Sequence, residues 1–181
     1  SIGETATLTA YFFFRIILAV YGWHRYYLVY LYMRNRDKEP RAGQPLDPAP
    51  VVTIQLPLYN EMYVADRLIN AVCAIEYPRD LLEIQVLDDS TDETCRIAEQ
   101  TVRRFAAEGI DIKYIHRTNR TGYKAGALEG GLKVARGEFI AIFDADFIPT
   151  VDFLTRLMPH FADPGIGMVQ ARWGHINQDY S

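Results

Sequence analysis

The stretch EFIAIFDADFIP, residues 138–149, decides the fold. Residues 139–143 form an unbroken apolar run, the pattern of a strand buried on both faces of a parallel sheet. Asp144 and Asp146 follow, one residue apart, where strand gives way to loop. In open α/β sheets ligands bind outside the carboxyl ends of the strands. Two acids there are placed to hold Mg²⁺ or Mn²⁺, hard ions that take one or two carboxylates and fill the rest of their shell with water and substrate phosphate. A solvated acidic turn has the same letters, so the flanking sequence must separate the two readings.

Working outward, strand-like and helix-like patterns alternate on both sides of this run. Strands are expected at 51–56, 83–87, 110–115 and 167–171, and helices at 61–75, 92–107, 123–135 and 153–161. Ser90 and Glu93 stand at capping-box spacing before the second of these helices. Gly130 and Gly131 weaken the third by about 1 kcal/mol each relative to alanine, and Arg136-Gly137 ends it. Strand, helix, strand at these spacings implies right-handed crossovers and a three-layer α/β/α sandwich.

Three more loops at the carboxyl ends of strands carry chemistry. The first holds Pro57, Tyr59 and Glu61, with Tyr59 able to flank a base ring. The second holds Asp88, Asp89 and Asp92, acceptors for a base N–H or a ribose hydroxyl. The third holds Arg117, Arg120 and Lys124 before a helix N-terminus, which suits a diphosphate. Lys124 opens that helix, a position unfavourable to a cation unless an anion is bound nearby. Acids for sugar, bases for phosphate and a metal pair on one edge are what a nucleotide-sugar site requires.

Ahead of the domain, residues 11–33 are crowded with Phe, Tyr, Leu, Ile and Val, long enough to cross a hydrocarbon core of about 30 Å. Arg15, His24 and Arg25 interrupt the run; Arg15 is near one end and can snorkel, but at the depth of His24 and Arg25 each charge costs about 2.5–3.5 kcal/mol. Two arrangements follow: a span from about residue 8 to 23 that emerges into an aromatic interface, or an amphipathic helix lying in the headgroups. Arg34, Arg36, Lys38 and Arg41 beyond it, against Glu4 before it, place the following domain in the cytoplasm. The expected organisation is a membrane helix over 1–36, a proline-bearing linker over 37–50, and a truncated domain over 51–181.

The 181 residues carry a net charge of −4 with no basic, aromatic-interleaved stripe, which argues against nucleic acid as a partner. Cys73 and Cys95 lie in apolar-periodic segments and are expected as two buried thiols in a reducing compartment. The first strand lacks a Gly-x-Gly-x-x-Gly, so dinucleotide binding loses its main signal. The calcium-loop spacing from Asp88 to Glu99 fails at Glu93, where the sharp turn needs glycine.

Pro-x-Tyr-Asn-Glu, Asp-Asp-Ser, Lys-Ala-Gly-Ala-Leu and Asp-Ala-Asp occur here in that order. With them, residues 51–181 resemble the first half of a family 2 glycosyltransferase of the GT-A fold, most of all the cellulose synthase and cellulose synthase-like branch. The resemblance implies a membrane-bound inverting enzyme that moves a sugar from UDP or GDP onto a glycan or lipid. It assigns Asp88 and Asp89 to the nucleoside, Lys124 to the ribose or diphosphate, Asp144 to the nucleotide and Asp146 to the metal. The family's general base and its Gln-x-x-Arg-Trp motif lie further along, so they are expected beyond Ser181; Gln170-Ala-Arg-Trp173 is one residue short of that spacing. Two alternatives stay open: a non-catalytic, membrane-tethered nucleotide-binding module, and a non-processive transferase acting on a lipid.

Overall fold

The computed structural model describes residues 2–36, 43–172 and 174. Lys38, Arg41, Trp173, His175 and Asp179 lie outside the described residues. The chain divides into two compact units, 1–41 and 42–181.

The first unit is one helix, α1 (Ile2–Asn35). At 1.5 Å per residue it is about 50 Å long, and its segment Gly3–Asn35 is long and apolar enough to cross a membrane. It runs unbroken through His24 and Arg25, so no helix end forms near residue 23. Phe12, Phe13, Phe14 and Ile16 are all exposed, and the apolar side chains are spread around the axis without an amphipathic face.

The second unit is built on a four-stranded parallel sheet of β1 (Val52–Leu58), β2 (Leu82–Asp88), β3 (Ile112–His116) and β4 (Phe139–Ile142), in the order β3-β2-β1-β4. Between them run α2 (Ala65–Cys73), α3 (Thr94–Ala107) and α4 (Tyr123–Leu132); after β4 come α5 (Phe153–Leu157) and a 3₁₀ turn, Met158–Ala162. The chain steps outward from β1 to β3 and then returns to the other side of β1. This makes the gap between β1 and β4 the topological switch point, where such sheets bind ligands.

The two faces of the sheet differ because side chains alternate. Val52, Ile54, Leu56, Ile84 and Val86 point into the apolar core under α2 and α3. On the opposite face, under α4, Thr53, Gln55, Glu83 and Gln85 form a fully buried polar layer, reached from the surface by Lys113 and Arg136. Thr53 Oγ1 donates to Glu83 Oε2 (2.6 Å), and Lys113 Nζ to Glu83 Oε1 (2.6 Å). The Arg136 N–H also donates to Glu83 Oε2 (2.9 Å), and Gln55 Nε2 to Gln85 Oε1 (3.1 Å). Gly131 lets α4 settle on this layer, since a Cβ there would stand 2.6 Å from Gln55 Nε2.

Several expectations need correction. Among the described residues β4 is an edge strand, half-buried with Ile142 exposed, rather than a strand covered on both faces. Residues 167–171 form no strand: Val169, Gln170 and Ala171 face β4 across an apolar cavity of about 300 Å³. Pro57 sits inside β1 instead of the loop after it; β4 pairs only as far as Gln55, so the missing Pro57 N–H costs no ladder bond on that side. The capping box does not form, because the Ser90 hydroxyl accepts the Asn60 N–H (2.8 Å) and Asp92 Oδ1 accepts the Thr94 N–H (2.9 Å). The segment expected as a linker is partly docked: Gly43 N–H donates to Pro159 O (3.1 Å) and Leu46 packs on the core.

Candidate functional site

Parallel register aligns Leu58, Asp88 and His116 at one edge of the sheet, so the loops after β1, β2 and β3 open on the same side. There a cavity of about 490 Å³ is lined by Pro57, Tyr59, Glu61, Asp89, Arg120, Lys124, Asp144 and Asp146. Seven of the eight residues expected at the site therefore share one cavity. Asp88 does not.

Asp88 fails for a reason visible in the alternation of β2. It is on the face of Leu82, Ile84 and Val86, which looks into the core, and it is fully buried. Tyr114 Oη donates to its Oδ2 (2.6 Å) and the Ser90 N–H to its Oδ1 (2.9 Å). Burial, then the Asp88 hydrogen bond, pushes the Tyr114 phenol well above its usual value. Asp88 thus holds the loop after β2 in shape, while Asp89 turns to the cavity.

Asp89 is nearly buried and receives a two-pronged bond from Arg117, Nε to Oδ1 (2.7 Å) and Nη2 to Oδ2 (2.5 Å). Arg117 therefore serves an acid of the cavity wall, and is not free for a diphosphate as expected. Lys124 Nζ is bonded to Asp144 Oδ1, which supplies the anion that a cation at a helix N-terminus calls for. The Arg120 guanidinium lies over the Tyr59 ring, 3.2 Å from its centroid, so the platform expected for a base carries a cation on one face.

Two left-handed residues set the loops. Asn60 (φ 54°) links the loops after β1 and β2: its N–H meets Ser90, and its Oδ1 accepts the Thr91 N–H (2.9 Å). Tyr123 (φ 51°), directly after Gly122 (φ 74°), turns the chain into α4; a bulky residue there is strained. Tyr114 carries no signal in the sequence, and Asn60 and Ser90, though part of the motifs, were not assigned these loop-linking roles; that of Asn60 was open to detection, since Asn tolerates the left-handed region.

Asp144 and Asp146 offer only oxygen ligands, side by side and open to solvent, beside a lysine suited to phosphate. That donor set fits a hard divalent ion completed by substrate oxygens. Cys73 and Cys95 are both free thiols, Cys73 buried and Cys95 half-buried rather than fully buried as expected.

The protein resembles known transferases both in sequence and in fold. It is 50% identical over 135 residues to glucomannan 4-beta-mannosyltransferase 2 of Arabidopsis thaliana, covering 72% of this chain and 25% of that protein. Over the same length it is 46% identical to glucomannan 4-beta-mannosyltransferase 1 of Cyamopsis tetragonoloba, covering 72% and 26%. The chain thus spans about a quarter of the length of these relatives. Among solved structures it matches mannosyltransferase PcManGT from Pyrobaculum calidifontis, in complex with GDP-Man and Mn²⁺ (TM-score 0.65, 32% identity, 83% of this chain and 44% of that one). The model of the family "Glycosyl transferase family 2" matches residues 53–181, and with a GT-A-like parallel sheet and the cavity at its switch point, the chain belongs to that family.

Proposed function

We propose that the full protein is a membrane-bound inverting glycosyltransferase that moves a hexose, mannose as in its relatives, from GDP to a growing β-glycan. The observation that carries this reading is one cavity uniting Asp89, Lys124, Asp144, Asp146 and Tyr59 at the switch point. Asp144 and Asp146 would hold Mg²⁺ or Mn²⁺, which supplies charge neutralisation to the leaving diphosphate. Lys124 exchanges part of its pairing with Asp144 for a phosphate oxygen. Tyr59 and Arg120 flank the base, and Asp89, oriented by the two-pronged bond from Arg117, accepts from a base N–H or ribose hydroxyl. The acceptor hydroxyl gives up its proton to a general base and attacks the anomeric carbon as the bond to the diphosphate oxygen breaks on the opposite face, the diphosphate leaving with the electron pair. We assign no general base among the described residues.

Helix α1 supports the membrane part of this reading, and Arg34 in its last turn and Arg36 just after it support a cytoplasmic face for the domain. The domain organisation we propose is a membrane helix over 1–36, a linker over 37–50 whose later part packs on the domain, and the transferase part from 51 onward. Calorimetric titration of the full-length protein with GDP-mannose, with and without Mn²⁺, tests the assignment. Binding should need the metal and fall at least tenfold in Asp146→Asn. Metal-independent binding, or none, would refute it. A parallel titration with a UDP-sugar decides the base.

A further inference from the structure

Behind the donor cavity, on the α2/α3 face of the sheet, lies a second group of side chains that the transfer chemistry does not use. Asp88 ends β2, His116 ends β3, and the register sets these two side by side. Cys95, in the first turn of α3, returns across the same face, with Sγ 3.0 Å from Ser90 O. One ligand atom from each of Asp88, Cys95 and His116 lies within 4.8 Å of the others, and His116 Nδ1 is 3.6 Å from Asp88 Oδ2.

We propose that Asp88, Cys95 and His116 form a second cation site, one that takes Zn²⁺ or a similarly borderline-soft divalent ion and is separate from the Asp144/Asp146 pair. Bond lengths of about 2.0–2.1 Å to O and N and 2.3 Å to S put neighbouring ligand atoms roughly 3.3–3.6 Å apart in a tetrahedral site. The Asp88–His116 spacing is already there, and drawing in the thiol takes a side-chain adjustment of about 1 Å. Thiolate and imidazole select zinc over Mg²⁺ and Mn²⁺, which keep to the oxygen-only pair. The surroundings are those of a supported site. Tyr114 Oη and the Ser90 N–H orient the Asp88 carboxylate (2.6 and 2.9 Å), and the partly exposed His116 ring gives the ion its entry.

A thiol must lose its proton to ligate, so capture of the ion strengthens with pH. Occupancy also reaches the donor cavity. Asp88 adjoins Asp89, and Ser90, which it holds, accepts the Asn60 N–H of the loop after β1.

The test uses metal-stripped, full-length protein in detergent, titrated with Co²⁺ as a spectroscopic stand-in for Zn²⁺. A thiolate-to-cobalt charge-transfer band should appear in the near ultraviolet, saturate at one equivalent and be bleached by Zn²⁺. Oxygen-only binding at Asp144 and Asp146 gives no such band. Cys95→Ser should abolish the band, Cys73→Ser should leave it, and His116→Ala should weaken binding by about tenfold or more. Because His116 lies at the surface, that variant keeps the question open to measurement even where Cys95→Ser folds poorly. No band in the wild type, a band that survives Cys95→Ser, or unchanged affinity in His116→Ala would overturn the proposal.

Discussion

Gly130 and Gly131 stand side by side in α4, and their surroundings set opposite signs on filling them. A Cβ at Gly130 meets nothing within 4 Å, so Gly130→Ala should stabilise the protein by about 0.8 kcal/mol, the helix-propensity gain alone. At Gly131 the same Cβ would stand 2.6 Å from Gln55 Nε2, 2.7 Å from Gln85 Oε1 and 2.9 Å from Leu87 Cδ2. Overpacking of that kind costs about 1–3 kcal/mol. Prising apart the Gln55–Gln85 bond adds about 1 kcal/mol, because both amides are buried. Set against the propensity gain, Gly131→Ala should lose about 2 kcal/mol. Thermal unfolding followed by near-ultraviolet circular dichroism should separate the two variants by about 10 °C, at roughly 4 °C per kcal/mol. If Gly131→Ala melts at or above Gly130→Ala, α4 does not rest on the buried amide pair. The seating of Lys124, at the other end of the same helix, would then need another cause.

Glu83 gives a pH signature. Burial alone would raise its carboxyl, but the Arg136 N–H, Lys113 and Thr53 outweigh burial and hold it below the ordinary range. A depressed carboxyl contributes stability above its unfolded pKa and loses it as pH falls through the folded value. The wild type should therefore weaken below about pH 4.5, and Glu83→Gln should flatten that part of a plot of unfolding midpoint against pH. Arg117→Met should cost about 3 kcal/mol in chemical denaturation by leaving Asp89 buried and unpaired, and adding Asp89→Asn should restore much of it. Tyr114→Phe, which removes a 2.6 Å bond to the buried Asp88 carboxylate, should lower stability by about 1.5–3 kcal/mol in the same assay.

The order of elements was legible in the sequence because it rests on local signals. The alternating pattern of β1 and β2, the apolar run of β4, the 3.6-residue period of α2 and α3, and acids placed after strands need no knowledge of distant residues. The Asp144/Asp146 pair could be assigned to a strand end on those grounds, and parallel strands then carried Asp89 to the same edge.

What the letters left undecided depends on pairing. Whether β4 is central or at an edge follows from which strand takes its other side, and the segment at 167–171, extended-looking by composition, stands off across a cavity. Adjacent aspartates look alike in sequence. Only the alternation of a paired strand sends Asp88 into the core with Tyr114 and Asp89 to the cavity with Arg117. Equivalent glycines, Gly130 and Gly131, likewise part company only when α4 docks on Gln55 and Gln85. Sequence determined which groups the loops carry, because composition and period are local; tertiary structure decided which of them face one another, because strand register and helix docking join residues far apart in the chain.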